Sequence, residues 1–129
     1  MAALSAYLAD KLIDHSRGVA AYAMPATYVG LVTTASSATG QGTEAAYPGY
    51  ARVALSGLLG AASAESGSNS STVSFPACTG GSSTVVGFII TDSATAGAGN
   101  LLWFGTCSLS VSSGITPQFA AGALTTSMS

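Results

Sequence analysis

Only eight of the 129 residues carry a charge, three of them Lys or Arg and five Asp or Glu. Half of these, Asp10, Lys11, Asp14 and Arg17, fall in one short stretch near the start. The rest is a nearly neutral run of Ala, Ser, Gly, Thr and Val. A chain that stands alone in water carries charge on about a quarter of its residues, which keeps its surface solvated. One this poor in charge either covers much of its surface with partners or relies on hydroxyls. It also has little material for a catalytic site. The composition therefore predicts a packed, partner-covered protein.

The length fits one domain, residues 1–129, with a single core. Apolar residues make up 48% of the chain, but much of that is Ala. The core must therefore come from short clusters of branched and aromatic residues. A net charge of −2 and a pI near 4.8 argue against nucleic acid as a partner. Phosphate neutralisation needs a basic face, and Lys11, Arg17 and Arg52 are too dispersed to make one. No apolar run approaches the roughly 18 residues of a membrane span, so no membrane partner is expected. The N-terminus lacks a basic n-region and Asp10-Lys11 interrupts any apolar one, so no secretory signal is expected either. Cys78 and Cys107 fit neither a disulfide framework nor a zinc site and read as two buried thiols, although a single bridge between neighbouring strands stays open.

Residues 3–16 (ALSAYLADKLIDHS) predict a helix. Leu4, Leu8 and Leu12 recur at i, i+4 and i+8 with Tyr7 beside them, and Gly18 is the stop. The polar side carries Asp10, Lys11, Asp14 and His15, with Lys11 placed to reach Asp14. The apolar stripe must cover something, either the chain's own sheet or a neighbouring subunit. From Pro25 onward the pattern is strand and turn. Strands are predicted over 27–34 (TYVGLVTT), 50–56 (YARVALS), 72–78 (TVSFPAC), 83–92 (STVVGFIITD), 101–111 (LLWFGTCSLSV) and 118–128 (QFAAGALTTSM). One helix followed by six short strands, with no βαβ rhythm, predicts a mainly β fold. The architecture expected is an antiparallel β-sandwich or jelly-roll-like barrel over 27–128 with one N-terminal α-helix. Residues 35–49 and 60–71 read as long loops, which in a small domain are usually binding segments or arms.

The chemistry is thin. His15, the only histidine, lies beside Asp14, but adjacent helix residues point about 100° apart, so it reads as a surface histidine. Glu44, Glu65 and Asp92 read as solvated acids near turns, and Asp10 with Asp14 as a mildly repulsive pair on one helix face. No spaced set of metal ligands is present, and residues 93–100 (SATAGAGN) read as a hairpin loop rather than a calcium loop. GAGN and GQG are turns rather than phosphate cradles. Asn69-Ser70-Ser71 matches a glycosylation sequon that occurs often by chance. No enzymatic activity and no cofactor are expected.

Three features bear on contacts. Gly30 interrupts a strand where another backbone or side chain can approach closely. Tyr50 and Arg52 alternate onto one face, so the guanidinium can stack on the ring or reach a partner. Trp103 is either core or an interface anchor, with core favoured.

The segments ALSAYLADKLIDH, TYVGLVTT, GTEAAYPGYARVAL, FPACTG, TVVGFIITDSATAGAGNLLWFG and FAAGALTTSM, in this order, resemble a family of small tailed-bacteriophage virion proteins, labelled tail-fibre-like or head-decoration proteins. The resemblance spans most of the chain and is weakest in the serine-rich stretch 63–71. Where it implies an aromatic before the TV strand and a histidine two positions after it, this chain has Ser83 and Gly87, so no site of that kind is carried over.

The resemblance implies a virion structural protein. The leading expectation is a capsid decoration or cement protein, assembled in the host cytoplasm and bound between subunits of the major capsid protein. Copies would also contact each other as a trimer or dimer. Leu4, Tyr7, Leu8, Leu12, Tyr50, Arg52 and Trp103 are the candidate interface residues. The alternative is a tail- or fibre-associated module binding host surface glycan through the two loops, with Tyr47 or Tyr50 stacking on sugar rings. A small hydrolase is the least supported expectation, for want of a base, an acid pair and metal ligands.

Overall fold

The runs richest in Val, Ile, Phe and Leu form the centre of the molecule. A computed structural model describes residues 2–127. Its elements are β1 (Ala2–Leu4), α1 (Ala6–Ser16), β2 (Tyr28–Val32), β3 (Val53–Ala54) and β4 (Ser66–Ser68). They continue with β5 (Val73–Ser74), β6 (Ser82–Thr91), β7 (Leu101–Ser112), β8 (Gln118–Phe119) and β9 (Thr125–Ser127). Seven strands make one curled sheet in the order β3-β2-β6-β7-β1-β9-β4, and β5 pairs with β8 as a separate ribbon. The fold is mainly β with one N-terminal helix. The pairings are antiparallel except that of β1 with β9, at Ala2 and Thr126, which is parallel.

Side chains alternate faces along a strand, and the core follows that period. Val29, Leu31, Phe88 and Ile90 enter the larger buried cluster, which Val73 and Phe119 of the ribbon close with Phe75 just beyond β5. Phe119 meets Phe88 edge-on, with ring centroids 5.7 Å apart. Val32 and Ile89 face the other way and meet Leu101 and Phe104 in a smaller cluster. Each such fully buried side chain is worth about 1.5–3 kcal/mol. At Gly87 the ladder slips, leaving Val86 bulged and exposed. A Cβ at Gly87 would sit 2.6 Å from the Gly105 carbonyl oxygen, so this strand crossing excludes any side chain there.

Several boundaries differ from the sequence reading. The expected helix over 3–16 begins only after Ser5, because Ala2 and Leu4 are drawn into pairing with Gly105 and Trp103 of β7. Ser5 is the hinge between the two. Its amide donates to the Leu102 carbonyl at 2.9 Å and its hydroxyl donates to the Leu101 carbonyl. The same hydroxyl accepts the Leu8 amide at 3.1 Å, an N-cap worth about 1 kcal/mol. At the other end Gly18 (φ 74°) closes the helix as expected. The Val19 amide bonds Asp14 O at 2.9 Å and the Gly18 amide bonds His15 O at 3.3 Å, a Schellman closure.

The strand expected over 118–128 is two, β8 and β9, parted by a turn at Gly122. Buried Asn69 organises that turn. Its amide group donates to Ala120 O at 2.9 Å and Ser71 O at 2.8 Å, and its carbonyl accepts the Leu124 amide. Engaged in this way, Asn69 is not a surface sequon. Met128 lies outside the described residues. The loop expected over 60–71 contains β4, paired with β9 beyond a tight hairpin at Ala64 and Glu65, both at positive φ. The runs 50–56 and 72–78 shrink to the two-residue strands β3 and β5. Cys78 is buried and Cys107 half-buried, both as free thiols, so the bridge left open by the sequence is not formed.

Candidate functional site: a buried charge clamp and an open helix groove

The loop acid Glu44 and the strand-entry residue Arg52 meet inside the protein. The Arg52 Nε donates to Glu44 Oε2 and its Nη2 to Glu44 Oε1, each at 2.8 Å, a bidentate pair. Nη2 also reaches Gln41 Oε1 at 3.3 Å. Nη1 donates to Thr91 Oγ1 at 2.7 Å and to the carbonyls of Ser93 and Ala98 at 2.8 and 2.9 Å. The carboxylate is equally occupied, accepting the Tyr50 hydroxyl on Oε2 and the Gly97 amide on Oε1 at 2.8 Å. The Arg52 side chain is fully buried and that of Glu44 only 10% exposed. This one pair therefore ties the 35–49 loop, the entry to β3 and the β6–β7 hairpin loop together.

Gly30 makes the clamp possible. A Cβ there would lie 2.8 Å from Glu44 Oε2 and 2.9 Å from the Tyr50 hydroxyl, so the close approach expected of this glycine is that of the clamp itself. The Tyr50 hydroxyl, which donates to Glu44, also accepts the Leu31 amide at 3.0 Å. Its ring stacks on Phe75 and meets Tyr47 edge-on. Burial pushes the Glu44 carboxyl up, but the hydrogen bonds from Arg52, Tyr50 and Gly97, with the Arg52 charge, outweigh it and hold the group below the usual carboxylate range. Burial, reinforced by the bond to Glu44, pushes the Tyr50 phenol far above its ordinary value. Both groups hold one protonation state across the neutral range, so the cluster acts as a strut and is poorly suited to proton transfer.

The second region is the outward side of α1. Leu8 is buried, but Leu4, Ala9, Leu12, Ile13, His15 and Ser16 line an open apolar groove of about 480 Å³. Ile13 is 52% exposed. Beyond the helix, Val19 and Met24 are also exposed. Lys11 stands over the Tyr7 ring, 5.5 Å from its centroid, and Asp14 pairs with Arg17 at 3.8 Å in place of the expected Lys11. His15 is exposed, and its Nδ1 accepts the Tyr22 amide at 3.1 Å.

Residues 3–127 match the family model described as podophage GP4 fiber I protein gp80. The chain belongs to this family. It is thus a phage virion structural protein, as the resemblance implied. No curated protein matches it.

Within this gp80-family fold, the residues singled out by the sequence divide between the two regions. Leu4 and Leu12 do share a groove, although Leu4 reaches it from β1 rather than from the helix. Tyr7 lies in the first turn of the helix, and Leu8 anchors the helix to the body of the protein. Tyr50 and Arg52, read as a pair free to meet a partner, face inward. Their common contact is Glu44, which the sequence placed in solvent. Tyr47 is buried, its hydroxyl donating to Pro76 O at 3.0 Å, so its ring is closed to a sugar, while Tyr50 is half-buried with its hydroxyl held in the clamp. Trp103 is half-buried. It packs on the core and floors a cleft of about 160 Å³ beneath Leu59, Ala62, Gly67 and Leu124. Asp92 is engaged locally, accepting the Asn100 amide at 2.6 Å and its side chain at 2.9 Å, which closes the hairpin loop.

Proposed function

We propose that this chain is a non-enzymatic structural subunit of the phage fibre, held in place by surface packing. The family description, matched over nearly the whole chain, is the observation that carries the fibre reading. The non-enzymatic part is supported by how the charged groups are used. Glu44 and Arg52 saturate each other, Asp92 closes a turn, and the remaining charged side chains sit on or at the end of α1 except for Glu65 at a hairpin tip. The groove on α1 supplies an apolar contact surface of the kind an assembly subunit needs. Decoration of the head, bound to the major capsid protein, would draw on the same neutral surface but lacks the support of the family description.

Quantitative mass spectrometry of purified virions tests this. A small number of copies per particle, released with isolated fibres, is the expected result. Copies in a simple high ratio to the major capsid protein, retained on fibreless heads, would overturn the fibre reading in favour of decoration.

A further inference from the structure

We infer that α1 docks antiparallel onto α1 of a second copy of this chain, across a two-fold axis passing between Leu12 and Ile13. The inference concerns the chain in solution and does not depend on its place in the virion. Three observations carry it.

The groove is apolar and open along the outward side of the helix, with Ala9, Leu12, Ile13 and Ser16 forming one stripe. An antiparallel mate sets Leu12 and Ile13 against the same two residues of the other copy and Ala9 opposite Ser16, so large residues meet across the centre and small ones at either end. A two-fold contact uses the same patch twice, and this stripe is self-complementary in that sense.

The charges beside the stripe fit the same operation. Asp10 and Arg17 are two turns apart on one edge of it, because seven residues bring a helix back to nearly the same direction. A two-fold rotation keeps that edge on its own side and reverses its direction. Asp10 of each copy then comes beside Arg17 of the other, offset along the axis by about 3 Å, which an arginine side chain spans. A parallel mate would put the two charged edges on opposite sides of the pair and forgo these contacts. Arg17 is available for this role, since its side chain is 64% exposed and its contact with Asp14 is long, at 3.8 Å.

Last, the exposed Lys and Arg side chains of the chain gather at this helix. Of its three cations, Arg52 is buried in the clamp, and Lys11 and Arg17 both lie on or at the end of α1. The complementary acid for Arg17 stands on the same helix edge.

Sedimentation equilibrium of the purified chain over micromolar to millimolar concentration tests the contact. The expected result is a monomer–dimer equilibrium that Ile13→Lys abolishes and Arg17→Glu weakens by about tenfold, from two lost pairs and two new repulsions. The double variant Asp10→Lys with Arg17→Glu restores dimerisation, an outcome specific to the antiparallel register. Circular dichroism of each variant verifies the fold, and the charge-reversal series stands if Ile13→Lys fails to fold. A monomer at every concentration would overturn the inference and leave the groove to a different virion protein. Oligomers insensitive to both Ile13→Lys and the charge reversals would overturn it in favour of another face.

Discussion

The Glu44–Arg52 clamp and the α1 groove reverse the usual relation between polarity and position. The clamp is densely polar and buried, while the groove is largely apolar and faces water. What separates them is saturation. In the clamp, six hydrogen bonds from the guanidinium and two further donors to the carboxylate replace the water that burial removed. In the groove, Leu12 and Ile13 have solvent where a core residue has neighbours. Among the described residues the one buried ion pair holds loops in place, and the exposed groove on α1 is made from apolar groups.

The largest effect is expected at the clamp. Arg52→Met leaves a carboxylate buried without its counter-charge, which costs about 3–5 kcal/mol. That is a large share of the roughly 5–15 kcal/mol that holds a domain of this size together, and it is read as a lower urea midpoint. Gly30→Ala attacks the same cluster from below. Its Cβ must displace the Glu44 carboxylate or the Tyr50 hydroxyl, a strain of about 1–3 kcal/mol, visible as a lower melting temperature with unchanged circular dichroism.

The pH dependence of stability sharpens the contrast further. The folded-state pKa of Glu44 lies below its unfolded value, so the unfolded chain takes up the proton first as pH falls. Stability from this group is complete above the ordinary Glu value of about 4.3. It is lost as pH drops from there through the folded value. Urea midpoints measured between pH 7 and pH 2.5 should therefore fall on the acid side, and Glu44→Gln should flatten that fall while lowering the midpoint at neutral pH. The smallest effect belongs to the groove. Ile13→Lys changes the stability of the dilute monomer by no more than about 0.5 kcal/mol, as expected of an exposed helix position.

The sequence disclosed the two regions unequally, for physical reasons. β2, β6 and β7 were legible because β-branched and aromatic residues crowd into runs bounded by turn residues. Gly18 and Gly30 were legible because only close packing or a left-handed turn requires glycine in those places. β1 was not, since Ala-Ala-Leu has no strand signature and owes its conformation to β7 and β9, which lie far along the chain. The Leu4-Leu8-Leu12 spacing therefore read as one helix, although Ser5, a favoured N-cap residue, stood at its true start. Glu44 was misplaced because loop acids are ordinarily solvated. The available signal was the isolation of Glu44 and Arg52 in an otherwise neutral stretch, where two opposite charges so close in sequence have only each other.

The most direct test of this account is denaturant unfolding of Arg52→Met and Ile13→Lys side by side, at a concentration low enough to keep the chain monomeric. Trp103, the sole tryptophan, supplies the fluorescence signal. The account predicts that Arg52→Met loses about 3–5 kcal/mol while Ile13→Lys stays within about 0.5 kcal/mol of the parent. Equal losses in the two variants, or an Arg52→Met protein as stable as the parent, would contradict it.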